Sequence, residues 1–204
     1  MSALSLAEVA RRKAQVAEMF TGMKAKAFSK TEDISATELK SMLAKPENKV
    51  VLVDVRTPVE QDVSIIPTAI RKEVFEATKD KYKDHTIVAY CTIGYRSGVY
   101  VQKLQDCEGA GGLKALNLRG SILDWSLQGY PLVDEETGQE TKRVHVYGET
   151  WNLVGDGYQA EWHKKPLAVV VVWDFLKGLL SRLWSQYLEP RWLISLFRGT
   201  SQRG

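Results

Sequence analysis

The sequence predicts an α/β protein built on a parallel sheet with helices on both faces. Three observations lead there. Val50-Val51-Leu52-Val53-Asp54-Val55 and Thr86-Ile87-Val88-Ala89-Tyr90 are almost unbroken apolar, β-branched runs, the signature of strands covered on both sides. Such runs alternate along the chain with helical patterns, which makes parallel strands joined by crossovers the expected topology. Polar, chemically capable residues then sit at strand ends, Asp54 and Arg56 after one and Cys91 after the other, and ligands of such sheets bind at carboxyl ends.

Taken in order, residues 4–28 read as a helix, with Leu6, Val9, Val16, Phe20 and Met23 near one face and Arg11, Arg12, Lys13 and Glu18 elsewhere. This N-terminal extension, residues 1–30, packs on the domain or on a partner. Ser35 and Glu38 have capping-box spacing, so a helix starts at Ala36, with Leu39, Met42 and Leu43 as its apolar face and Pro46-Glu47-Asn48 as its stop. After the strand at 50–55, residues 58–61 form a turn or short helix. There Glu60 lies four residues beyond Arg56, close enough to pair with it. Residues 65–70 read as a short strand or extended segment, 73–79 as a short helix, 113–118 as another strand, and 122–128 as a short helix stopped by Gly129-Tyr130-Pro131.

The stretch with the most chemistry is Ala89-Tyr90-Cys91-Thr92-Ile93-Gly94-Tyr95-Arg96-Ser97, followed by a helical pattern. Strand, tight loop and helix converge backbone N–H groups on one point. A thiol there meets those donors, the positive end of a helix and the Arg96 guanidinium, all of which favour the nucleophilic thiolate. A free cysteine is more often an inert buried residue. Gly94, able to take φ > 0 in a loop curling round an anion, and Arg96, a charge that is never lost, separate this cysteine from that ordinary case. Cys107, roughly 15 Å along the following helix at ~1.5 Å rise per residue, is a poor resolving partner.

Composition narrows the classes. The chain has 204 residues, a net charge of +3 and two cysteines, so neither a large nucleic-acid footprint nor a disulfide framework is implied. His85, His145 and His163 lack ligand spacing, so no metal or cofactor is expected. Residues 1–30 lack the continuous apolar core of a secretory signal, and no apolar run reaches the ~18 residues of a membrane span. An intracellular reducing compartment, cytoplasmic or organellar, fits these features.

Beyond residue 133 the chain changes. Residues 134–165 carry a polar turn, a strand-like Arg143-Val144-His145-Val146-Tyr147, and Trp151 and Trp162 bracketing a glycine-rich loop; they are expected to pack on the domain beside the site. In residues 166–204, Leu176, Leu179, Leu180, Leu183, Trp184, Tyr187 and Leu188 form a wide helical stripe opposite Lys177, Arg182, Arg191 and Arg198. Over residues 166–198 this suits a peripheral membrane surface or a protein complex, the alternative being packing on the chain's own domain.

Residues 34–133 resemble a rhodanese domain. The matching pieces come in the family's order: Ile34-Ser35 with Glu38-Leu39; Leu52-Val53-Asp54-Val55-Arg56 with Glu60; Ile66-Pro67 with Ala69-Ile70; Cys91 with Gly94, Arg96 and Ser97; Leu118-Arg119-Gly120 with Trp125 and Gly129-Tyr130-Pro131. The resemblance implies a rhodanese-like domain over residues 31–133 and a sulfurtransferase using a persulfide. Cys91 and Arg96 are then the catalytic residues, and Thr92, Ile93, Gly94, Tyr95 and Ser97 hold the substrate with their N–H groups. Asp54, Arg56 and Glu60 support the loop from below. The implied partners are a small sulfur donor such as thiosulfate and a thiol or cyanide acceptor. Two departures stand out: Gln61 where the family has an aromatic residue, and Ile65-Ile66-Pro67-Thr68-Ala69 where it has His-Ile-Pro-Gly-Ala. Both put donor choice in question. Phosphatases of related fold have five residues between cysteine and arginine; here Thr92, Ile93, Gly94 and Tyr95 make four, a smaller cradle suited to sulfur. A different class of function, a docking or scaffold subunit attached through its tail with little or no catalysis, is the alternative.

Overall fold

The computed structural model describes residues 3–108 and 113–162. The tail read at 166–204 therefore lies outside the described residues, as does the end of the extension before it. The described elements are α1 (Leu6–Ala27), β1 (Asp33–Ile34), α2 (Ala36–Leu43), β2 (Val50–Asp54), α3 (Pro58–Gln61), β3 (Ile70–Arg71), α4 (Lys72–Thr78), β4 (Thr86–Tyr90), α5 (Tyr95–Glu108), β5 (Lys114–Leu118), α6 (Ser121–Leu127), β6 (Leu132–Val133), β7 (Glu140–Thr141), β8 (Arg143–His145) and β9 (Gln159–Glu161).

β1, β5, β4, β2 and β3 form one sheet in that order, and every neighbouring pair is parallel. The apolar runs are explained by the pleat. Leu52, Val88, Tyr90, Leu116 and Leu118 face one core, with Val16 of α1, Leu39 of α2 and Ile122, Leu123 and Trp125 of α6. Val51, Val53, Ile87, Ala89 and Ala115 face the other, with Phe75 of α4 and Tyr100 and Val101 of α5. Alternate residues along one strand thus enter two separate cores. The capping box on α2 is present: the Glu38 N–H donates to the Ser35 hydroxyl, and the Glu38 carboxylate accepts the Ser35 N–H at 2.9 Å.

The structure bounds two of these stretches more closely. The stretch read at 65–70 as a short strand or extended segment is both: Ile65 makes an isolated antiparallel bridge to Val133, and only Ile70–Arg71 pairs with β2. Pro67 lacks the N–H a ladder needs, and Thr68 adopts φ +70°. The strand read at 143–147 ends at His145, because Tyr147 leaves the ladder and turns toward the site.

Thr68 is exposed, β-branched and in left-handed space, where the resembled family has glycine. That conformation costs a side-chain-bearing residue roughly 1–2 kcal/mol, part of which glycine's freedom in the unfolded chain offsets. Thr68→Gly is expected to stabilise the protein by up to about 1 kcal/mol, read as a Tm rise of a few degrees. An unchanged or lower Tm in calorimetry refutes the strain.

α1 lies against the sheet's loop edge. Its Phe20 and Val16 are buried, and the fully buried Phe28 follows it. The rings of Phe20 and Phe28 lie 5.9 Å apart, and Phe28 meets Tyr95 edge-on at 6.2 Å. Beyond residue 133, Val144, Val146, Leu153, Val154 and Tyr158 join the same core. β8 and β9 pair in parallel, and the Ser64 hydroxyl donates to the Arg143 carbonyl at 2.7 Å. Among the described residues no helix is long and apolar enough to cross a membrane.

Candidate active site

Cys91 follows the last residue of β4, and α5 begins four residues later. Its carbonyl and that of Thr92 are taken by the first N–H groups of α6, Ile122 at 3.3 Å and Leu123 at 3.2 Å. Pulling these carbonyls outward turns the following amides inward, since a peptide's N–H and C=O are antiparallel. The Gly94 N–H donates to Cys91 Sγ at 3.1 Å, and the Ser97 hydroxyl lies 3.6 Å from the same sulfur. The Cys91 N–H donates to the Ser121 hydroxyl at 3.1 Å, which itself donates to the Leu118 carbonyl. Ser121 holds this place with φ +49°, a conformation a non-glycine residue takes only when its surroundings over-determine it.

Gly94 has φ +110°, and a Cβ there would meet the Phe20 ring at 2.6 and 2.7 Å. Conformation and close approach both demand glycine. Its carbonyl accepts from the Asn117 amide at 3.1 Å. The loop is therefore gripped from below by α1 and β5 and from the side by α6.

The thiol is 2% exposed. Burial alone raises its pKa. The Arg96 charge and the donors from Ser97 and Gly94 outweigh burial and hold it below the ordinary thiol value. Ile93 is buried in the core and Tyr95 points to solvent, so these two can serve an anion only through their backbone.

Arg96 is placed by a carboxylate. Its two terminal nitrogens donate to the two oxygens of Glu60, each at 2.7 Å, a bidentate fork. Glu60 also accepts the Thr57 N–H at 3.0 Å, the Thr57 hydroxyl at 2.8 Å and the Thr92 hydroxyl at 3.3 Å. Burial would raise this carboxyl, but Arg96 pulls it down to about 2. Here the sequence expectation is corrected: the Glu60 carboxylate pairs with Arg96, not Arg56. Arg56 turns back on Asp54, with Nη2 to Oδ2 at 2.6 Å, and donates to the Glu60 and Ser64 carbonyls. It lies over the Tyr90 ring at 5.6 Å, and Tyr90 accepts the Ile66 N–H. Asp54, Arg56 and Glu60 are all buried, and none touches the thiol. Gln61, fully buried where the family has an aromatic residue, donates to the Asp54 carbonyl at 3.2 Å.

Sequence reasoning missed Ser121, Asn117, Phe20 and Tyr147. The first two had a signal, a polar residue inside an otherwise apolar run or directly after a turn glycine. The aromatic pair had none. Tyr147 comes from the extension; its ring lies 5.1 Å from the Arg96 guanidinium. His145 Nδ1 stands 3.7 Å from the Glu60 carboxylate. Among the described residues no group of His, Cys, Asp and Glu is placed to hold a metal ion.

A nucleophile at a strand end, ringed by inward donors and beside a clamped cation, suits attack on an electrophilic atom of an anionic substrate. Residues 35–128 match the rhodanese-like domain. The chain is 36% identical over 107 residues to a sulfurtransferase of Allochromatium vinosum, covering 51% of this chain and 96% of that protein. It is also similar to two solved structures. One is a rhodanese-related protein of Thermoplasma volcanium (28% identity, 51% of this chain and 99% of that one, TM-score 0.43). The other is a thiosulfate sulfurtransferase of Pseudomonas aeruginosa (20% identity, 67% of this chain and 25% of that one, TM-score 0.44). The domain match and the Allochromatium relative together support sulfurtransferase activity at the level of the family, and the chain belongs to the rhodanese-like family.

Proposed function

We propose that this protein transfers sulfane sulfur from a thiosulfate-like donor to a thiophilic acceptor, through a persulfide on Cys91. The Cys91 thiolate attacks the outer sulfur of thiosulfate. A new S–S bond forms, the donor's own S–S bond breaks, and sulfite leaves with its electron pair. The terminal persulfide sulfur then carries the negative charge, which the N–H groups of residues 92–97 hold. A thiolate or cyanide attacks that sulfur, and the electron pair of the breaking bond returns to Cys91. No proton is needed in either displacement when both nucleophiles arrive ionised.

The observation that carries this reading is the Gly94 N–H at 3.1 Å from Cys91 Sγ, inside a loop whose carbonyls are tied away from the sulfur. Arg96 orients the donor. Among the described residues its Nε is buried and makes no hydrogen bond within the protein. Asp54, Arg56 and Glu60 take no part in bond making; they fix the floor.

Intact-mass measurement after incubation with thiosulfate tests the reading. The wild type is expected to gain one sulfur that cyanide removes, and Cys91→Ser to gain none. A folded wild type with a free thiol that gains no sulfur refutes the thiosulfate route.

A further inference from the structure

Tyr147 lies outside the matched domain, yet it reaches three residues of the loop. Its ring stacks over Arg96 at 5.1 Å, and its hydroxyl is near enough to the Thr92 side chain to interact with it. It is also close enough to Cys91 for the two groups to feel each other's charge. The residue is half-buried. Burial outweighs the pull of the Arg96 charge and raises its pKa, so it stays a neutral phenol wherever the thiolate forms.

The backbone holds Tyr147 in place by an unusual device. Gly148 takes φ +150°, ψ −176°, a region essentially restricted to glycine. A Cβ at Gly148 would meet nothing within 4 Å, so glycine is required there for its conformation and not for room. The turn at Glu149–Trp151 follows and brings Trp151 edge-on against the Tyr147 ring at 5.5 Å. The phenol is thus braced from outside by Trp151 and from inside by Arg96.

We propose that Tyr147 is a specificity-determining residue: it caps the approach to Cys91, admitting donors and acceptors with a slender terminal sulfur or carbon and excluding bulky ones. This rests on Cys91 being the sulfur-carrying residue. A cap over an Arg–carboxylate pair also keeps water from that pair, so the cation stays where Glu60 puts it.

The test uses the full chain and reads alkylation of Cys91 by peptide mass mapping, with iodoacetamide as the small reagent and a fluorescein maleimide as the bulky one. Tyr147→Ala is expected to raise the bulky-to-small rate ratio by about tenfold or more, while Tyr147→Phe, which keeps the ring, leaves it within about twofold. Gly148→Ala keeps every side chain of the site but forbids the backbone turn. It is expected to move the ratio in the same direction, and it stands in should Tyr147→Ala fail to fold. Equal acceleration of both reagents, or no acceleration of either, overturns the cap. Alkylation requires no sulfur transfer, so a wild type that shows the size filter but takes no sulfur from thiosulfate overturns the proposed function and leaves the cap standing.

Discussion

Glu60→Ala is expected to destabilise the protein by about 3–5 kcal/mol, the usual cost of removing one partner from a buried ion pair. The carboxylate serves four groups at once: Arg96 twice at 2.7 Å, the Thr57 N–H and hydroxyl, and Thr92. Without it, Arg96 is left mostly buried beside Tyr147 with no carboxylate partner. Urea unfolding measures the loss, and a change under about 1 kcal/mol would mean the pair is solvated and weak. The same variant releases the cation that favours the thiolate, so the pH midpoint of Cys91 alkylation is expected to rise. Glu60→Gln separates charge from shape. In the wild type the Glu60 carboxyl is pulled from an ordinary 4.5 down to about 2. Its folded pKa is depressed, so its stabilisation is fully present above about pH 4.5 and is lost as pH falls toward 2. Glutamine does not titrate. Its stability is expected to fall less between those pH values, with the difference on the order of 3 kcal/mol. Parallel acid limbs for the two proteins would remove Glu60 from the acid response.

Gly94→Ala is expected to strike stability and chemistry together. Its φ of +110° is strained for alanine, and the new Cβ would sit 2.6 Å from a buried phenyl ring. Left-handed strain and overpacking together amount to about 2–4 kcal/mol. The loop can relieve the clash only by moving the Gly94 N–H off the sulfur, so sulfur capture is expected to slow by about a hundredfold. Phe20→Ala in the same chain removes the clash and leaves the strain. A double-mutant cycle is then expected to show the pair costing less than the sum of the single changes. Strict additivity would show that α1 does not press on the loop.

Much of the fold was legible because it rests on local patterns. The two apolar strands, the capping box on α2 and the cysteine loop all depend on neighbours within a few residues. Glu60 shows where such reading stops. A spacing of four residues suggests Arg56 as its partner, but at a strand end the chain bends. Asp54, two residues before Arg56, takes that guanidinium, and Glu60 is left facing α5. Phe20 and Tyr147 were illegible as site residues for a different reason. Each acts across more than 50 positions of sequence, and nothing in a helical stripe or a loop aromatic says which distant glycine or guanidinium it will meet.

The grip of α1 on the loop also sets an order of events during synthesis. α1 leaves the ribosome before the loop it braces: Gly94 follows Phe20 by 74 positions, and Gly120 follows Val16 by 104. The carbonyls of Cys91 and Thr92 wait for α6, and the phenol over Arg96 comes later still. Parallel pairings and contacts of this separation form slowly, because the loop must close before anything is gained. A nascent chain carrying Cys91 but not yet α6 therefore displays an ordinary, weakly nucleophilic thiol. Its reactivity switches on only when the two ends of the described chain have closed around it, so an incomplete or prematurely terminated product is chemically quiet.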